Sequence, residues 1–103
     1  MGESVKLLEP PAITSELERL PGWKGDAKSL TREFTFADFA AAMRFMQACA
    51  AGIDRRNHHP EWTNAYNRVK VRLNTHDAGD RVTDLDIDLA KFLSERAKEH
   101  GAK

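Results

Sequence analysis

Three of the four histidines in this chain, His58, His59 and His76, fall at the edges of one pair of extended segments. An imidazole titrates near pH 6.5, so it can both give and take a proton close to neutrality. Three of them around one strand pair form a candidate acid–base site. Taken by themselves, adjacent histidines also read as ordinary polar surface, and the residues leave both readings open. Glu61 and Asp77 adjoin histidines and can orient an imidazole or raise its pKa, or stand as solvated carboxylates. Zinc requires three or four ligands that converge on one point. His58 and His59 are neighbours that an extended chain points to opposite sides, and there is no HExxH or paired-cysteine spacing, so a metal-free site is expected. Trp62 and Tyr66 can stack on a flat heterocycle, but core or interface packing is the simpler reading. Asp86 reads first as a helix-cap acid. Asp54 reads as a helix-end surface residue unless the following loop folds back over it.

These residues need a scaffold, and the periodicity supplies one. Ile13, Leu17 and Leu20 mark one face of a short helix, capped by Thr14 or Ser15 and stopped by Pro21-Gly22. Residues 1–11 hold little pattern and end in Pro10-Pro11, and a mobile lead-in is expected there. Trp23 opens an extended stretch and Gly25-Asp26 is a turn signal. Leu30, Phe34 and Phe36 then alternate with Thr31, Glu33 and Thr35, while Arg32 breaks the apolar face; this predicts a hairpin. Thr35 to Asp38 resembles a capping box, and Phe36, Phe39, Met43, Met46, Ala50 and Ile53 predict a long amphipathic helix after it. Cys49 falls on its apolar side as inert packing. Pro60 disfavours helix at His59. Trp62, Asn64 and Tyr66, then Val69, Val71 and Leu73, predict a second hairpin with its turn at Asn67-Arg68. His76 shares the wet face of that strand with Lys70, Arg72 and Asn74. Thr83 to Asp86 is a second cap pattern. It opens a last helix through Leu85, Leu89, Phe92, Leu93 and Ala97, ending at Gly101. The order is α-β-β-α-β-β-α. The expected fold is α+β, a four-stranded antiparallel sheet with three helices packed on one face, as a single domain over 12–103.

Composition removes several classes. A chain of 103 residues with 41% hydrophobic and 31% charged residues suits one folded domain. Sixteen basic residues balance sixteen acidic ones, so no global field draws the chain to nucleic acid or to an anionic membrane. The lone cysteine excludes an intrachain disulfide and suits a reducing compartment; a cytoplasmic location is expected. No apolar run approaches the ~20 residues of a membrane span. Leu7-Leu8 is too short for a signal peptide.

The run D-x-x-N-H-H-P-E-W-x-N-x-Y-N-x-V from Asp54 to Val69 resembles the signature of the pterin-4a-carbinolamine dehydratases. So do L-x-T-H-D-A-G from Leu73 to Gly79, T-D-L-D-x-x-L-A from Thr83 to Ala90 and, more loosely, F-x-F-x-D-F-x-x-A from Phe34 to Ala42. The likeness covers roughly residues 13 to 97. Two departures stand out: the loop after Thr75-His76 is one residue longer than the usual G-G-L-T form, and the first acid is Asp54 where Glu is common. The resemblance implies the fold just described and a hydro-lyase that converts 4a-hydroxytetrahydropterin to quinonoid dihydropterin. That reaction follows aromatic amino-acid hydroxylation in tetrahydropterin recycling. It implies a homodimer or homotetramer and no cofactor. It assigns His58, His59 and His76 to catalysis, and Asn57, Asn74, Thr75 and Asp77 to pterin binding. Asp54, Glu61, Trp62 and Asp86 are candidates for supporting roles, with Asp77 expected to pair with or orient His76. Animal members also bind a homeodomain transcription factor. A non-catalytic protein-binding or dimerisation module on the same fold is therefore the alternative reading. Action on a pterin linked to another cofactor is a third.

Overall fold

A computed structural model of the protein describes residues 5–103. Three helices and four strands follow the expected order: α1 Pro10–Leu17, β1 Lys24–Gly25, β2 Leu30–Thr35, α2 Phe39–Arg56, β3 Glu61–Ala65, β4 Arg68–Leu73 and α3 Asp84–Glu99. One turn of 3-10 helix spans His76–Ala78. The strands form one antiparallel sheet in the order β1-β2-β4-β3. Side chains alternate across a strand. Val69, Val71 and Leu73 of β4 therefore point to one face with Leu30 and Phe34 of β2, and all five are buried. Ile13 of α1, Phe45 and Cys49 of α2, and Leu89 and Leu93 of α3 cover that face and join the same core. The opposite face carries Thr31, Glu33, Lys70 and Arg72 to solvent.

The ends of the elements show where periodicity misleads. Residues 1–4 of the expected lead-in lie outside the described residues. The rest of it is held in place: Leu7 bridges Thr83, Leu8 is buried, and Lys6 and Asp84 exchange hydrogen bonds. Pro10-Pro11 does not end that stretch but starts α1. Proline lacks an N–H and is preset near helical φ, so it fits the first turn, with Glu9 as N-cap in place of Thr14 or Ser15. Thr35 stays in β2, paired with Arg68, and the cap of α2 is Asp38, whose carboxylate accepts from Ala41 N at 2.8 Å.

The inward face of α2 is also not the predicted stripe. Ala41, Ala42, Phe45, Cys49, Gly52 and Ile53 are buried, whereas Phe39 is 48% exposed. The helix begins after Phe36, which shifts its phase. Small residues also face inward because the neighbours come close: a Cβ on Gly52 would collide with the Phe92 ring of α3. The second hairpin turns at Tyr66-Asn67, one residue earlier than predicted. Ala65 pairs with Arg68, and Tyr66 takes a left-handed φ of 53°. The Asn64 amide donates to the carbonyls of Tyr66 and Arg68, which holds the turn closed.

Candidate active site

The histidine pair is aimed by the end of α2. Asn57 adopts the left-handed conformation that asparagine tolerates, with φ 49°, and its N–H bonds back to Asp54 O. The chain leaves the helix sharply there, and the two imidazoles diverge. His58 turns inward, where its Nε2 lies 2.6 Å from Asp86 Oδ1. His59 turns outward and its Nε2 lies 2.8 Å from Asp54 Oδ1, because the loop does fold back over that helix end.

Asp86 is fully buried and is the hub of the site. Its Oδ2 accepts from Thr83 N at 2.9 Å and from Thr75 Oγ1 at 2.9 Å. Thr75 Oγ1 and Thr83 Oγ1 are 2.6 Å apart. Thr75 spends its only proton on Asp86, so the Thr83 hydroxyl donates to Thr75. Thr83 Oγ1 in turn accepts from Leu85 N at 3.2 Å. Every bond to the Asp86 carboxylate is therefore received, and the acid capping α3 is also the acid that orients His58. A buried carboxylate is tolerable only when its oxygens are satisfied in this way.

The third histidine follows β4. The buried alternation of Val69, Val71 and Leu73 runs on to Thr75, which is 5% exposed, and leaves His76 in solvent. Its partner is not Asp77, as expected, but Asp80: His76 Nδ1 and Asp80 Oδ1 are 2.8 Å apart. The longer loop explains this. Thr75 N bonds to Arg81 O and Asp80 N to Thr75 O, and Asp80 takes a left-handed φ of 59° that swings its carboxylate back over the turn. The hydrogen bond that His76 donates to Asp80, then the charge of Asp80 and that of Asp77, raise the His76 pKa above its ordinary value. Asp80→Asn is expected to bring it back toward about 6.5 in an NMR titration of the ring protons. The fold favours the charged imidazole. The pair's contribution to stability is thus complete below the ordinary pKa and is lost as pH rises through the folded value. A titration unchanged by Asp80→Asn would mean the pair does not persist in solution.

An open cleft of about 500 Å³ joins these parts. The three histidines line it together with Asn57, Asn74, Thr75 and Asp77. Of the supporting candidates, Glu61 lines it and is bonded to Arg72 at 2.8 Å, while Asp54 and Asp86 stand behind their histidines. Trp62 does not take part: its ring packs edge-on against Phe45, 6.2 Å between centroids. Tyr66 is exposed in its turn. Arg72, Asp80 and Leu85 line the cleft and were not legible as site residues. Arg72 carried a signal, since it shares the wet face of β4 with His76; Asp80 carried only the extra loop residue. Among the described residues no three His, Cys, Asp or Glu side chains gather as a metal-ligand set. Nor is any helix there long and apolar enough to cross a membrane.

A family model described as pterin 4 alpha carbinolamine dehydratase matches residues 6–96. The chain belongs to this family. A Rhizobium leguminosarum protein, named as a candidate pterin-4-alpha-carbinolamine dehydratase, is 45% identical over 91% of this chain and 94% of its own length. A similarly named Rhizobium johnstonii protein is 47% identical, over 87% of this chain and 90% of its own. The crystal structure of a Brucella melitensis transcriptional coactivator/pterin dehydratase superposes with a TM-score of 0.82. It has 40% identity and covers 87% of this chain and 97% of that one. A pterin dehydratase-like RuBisCO assembly factor of the alpha-carboxysome, 21% identical with a TM-score of 0.59 over 73% of this chain and 86% of its own, shares the fold.

Proposed function

We propose that the chain is a 4a-hydroxytetrahydropterin dehydratase that loses water by acid–base chemistry alone. The observation that carries this is the pairing of each cleft histidine with its own carboxylate: His58 with Asp86, His59 with Asp54 and His76 with Asp80. One ring nitrogen of each imidazole is occupied, so the other is free to exchange a proton with a bound molecule. The reaction needs two such transfers. The N5 lone pair forms a C4a=N5 bond as the C4a–O bond breaks, N5–H gives up its proton, and the departing oxygen takes one to leave as water. His59 and His58 form the acid side, facing the hydroxyl. His76 takes the N5 proton, and Asp80 stabilises the imidazolium that results. Each positioned transfer contributes about 10²–10⁴-fold. Asn57, Asn74, Thr75 and Asp77 supply hydrogen bonds to the pterin ring. The electron push comes from the substrate itself, so no cofactor or metal is assigned.

In this reading the protein works in the cytoplasm as a homodimer or homotetramer, downstream of an aromatic amino-acid hydroxylase. The test is a stopped-flow assay of 4a-hydroxytetrahydropterin dehydration, with and without a chelator. Acceleration that survives chelation is expected, with a loss of about 10²-fold or more in His59→Ala and His76→Ala. No acceleration by the folded wild type would overturn the proposal and favour a non-catalytic binding module on this scaffold.

A further inference from the structure

Arg32 is the residue that interrupts the apolar alternation of β2, and the fold gives it a fitted seat. It shares the helix-covered side of the strand with Leu30 and Phe34. Its guanidinium lies 4.4 Å above the Phe34 ring, and its Nη1 donates to Pro21 O. Gly22 adopts φ +87°, and a Cβ there would come within 2.6 Å of the Arg32 Cζ, so the α1–β1 loop is shaped around this side chain. Yet among the described residues the ion pairs involve other groups, and no carboxylate reaches Arg32. Partial burial lowers its pKa, as expected of a cation that gains no ionic partner. A half-buried charge is ordinarily paired. The aromatic face and one carbonyl offset part of the cost and leave the remaining guanidinium N–H groups available.

Those groups border an open cleft of about 460 Å³ between the α1–β1 loop and α3, which shares no residue with the histidine cleft. Arg19, Lys91 and Lys98 stand on its rim beside Arg32, against the single carboxylate of Glu95. Arg19 and Lys98 have no ion-pair partner among the described residues, and Lys91 reaches Glu16 only at 3.9 Å. In a chain whose sixteen basic and sixteen acidic residues cancel, this is a local excess of positive charge over an apolar floor of Leu20, Phe34 and Ala97.

We propose that this cleft is a second ligand site, taking a small organic anion whose carboxylate or phosphate sits on the Arg32 fork and whose apolar body lies against Pro21 and Ala102. A planar guanidinium matches both oxyanions in two-pronged fashion. The site is independent of the dehydratase reading.

The test is titration of the isotope-labelled full chain by NMR with phenyl phosphate, benzoate and inorganic phosphate, with benzyl alcohol as the neutral control. Saturable shifts are expected at Gly22, the Arg32 side chain and Ser94. They should be weaker with inorganic phosphate, which lacks the apolar body, and absent with benzyl alcohol. Phenyl phosphate tighter than benzoate would identify a phosphate ligand, and the reverse order a carboxylate. Arg32→Met keeps an unbranched stem over Phe34 and should raise Kd at least about tenfold. Arg32→Lys, which keeps the charge but not the fork, should fall between. Dehydration by Arg32→Met should match the wild type. Absence of saturable shifts, shifts confined to the histidine cleft, or unchanged binding in Arg32→Met would each overturn the proposal.

Discussion

Asp86→Asn should slow dehydration of 4a-hydroxytetrahydropterin about 10²–10⁴-fold while leaving a folded protein. Three donors converge on this carboxylate: His58 Nε2, Thr83 N and Thr75 Oγ1. An asparagine offers one acceptor oxygen and turns an NH₂ toward at least one of those donors. Whichever way the amide settles, either the cap of α3 or the bond to His58 is lost. The first loss costs about 1–3 kcal/mol, as for other buried donors left unsatisfied. The second lets the imidazole rotate and change tautomer, and the proton it must deliver no longer meets the departing oxygen. Kinetics and thermal melts separate the two. A large fall in kcat with a modest fall in Tm, and a changed His58 ring signal by NMR, is the expected pattern. A lowered Tm with wild-type kcat would reduce Asp86 to the helix cap that its spacing from Thr83 first suggests.

That double role explains why the site was only partly legible from sequence. The types and spacing of His58, His59 and His76 mark a proton-transfer cluster, and alternation along β4 places His76 in solvent. The partners are another matter. His58 and Asp86 are 28 residues apart, and no period links them; only the packing of α3 beside the end of α2 does. Asp77 was the nearer choice for His76 by sequence, but the left-handed residue Asp80 reaches the ring because the loop turns back. The same division holds for the fold. Strands with one wet face and helices with strong caps announce themselves, so the element order and the sheet could be read directly. The inward face of α2 could not, because there the close approach of Phe92 selects Gly52 over a larger apolar residue, Ala42 is buried and Phe39 lies outside. Hydrophobicity marks burial only where there is room for a large side chain; at the tightest contacts smallness replaces it.

Phe45→Ala should show the opposite signature to Asp86→Asn, a large loss of stability with chemistry intact in the molecules that remain folded. Phe45 is fully buried at the middle of α2 and gathers the aromatic layer under the sheet. Its ring centroid lies 5.4 Å from Phe34, 5.0 Å from Phe36 and 6.2 Å from Trp62. Those three rings come from β2, the cap segment of α2 and β3, so removing Phe45 opens a cavity shared by both hairpins and the long helix. Buried Phe→Ala changes cost about 3–5 kcal/mol, against a total of roughly 5–15 kcal/mol for a domain. At this length that should lower Tm by about 12 °C or more, with an unchanged denaturant m-value if the unfolded state is unaffected. Phe45 lines neither the histidine cleft nor the Arg32 cleft, and the bonds from His58 to Asp86 and from His59 to Asp54 do not pass through it. Turnover per folded molecule well below the new Tm should therefore stay near that of the wild type. If kcat instead fell together with stability, the C-terminal end of α2 would be positioned through the aromatic layer rather than by the Asn57 turn and the carboxylate of α3. The histidine pair would then depend on the core as much as on its own partners.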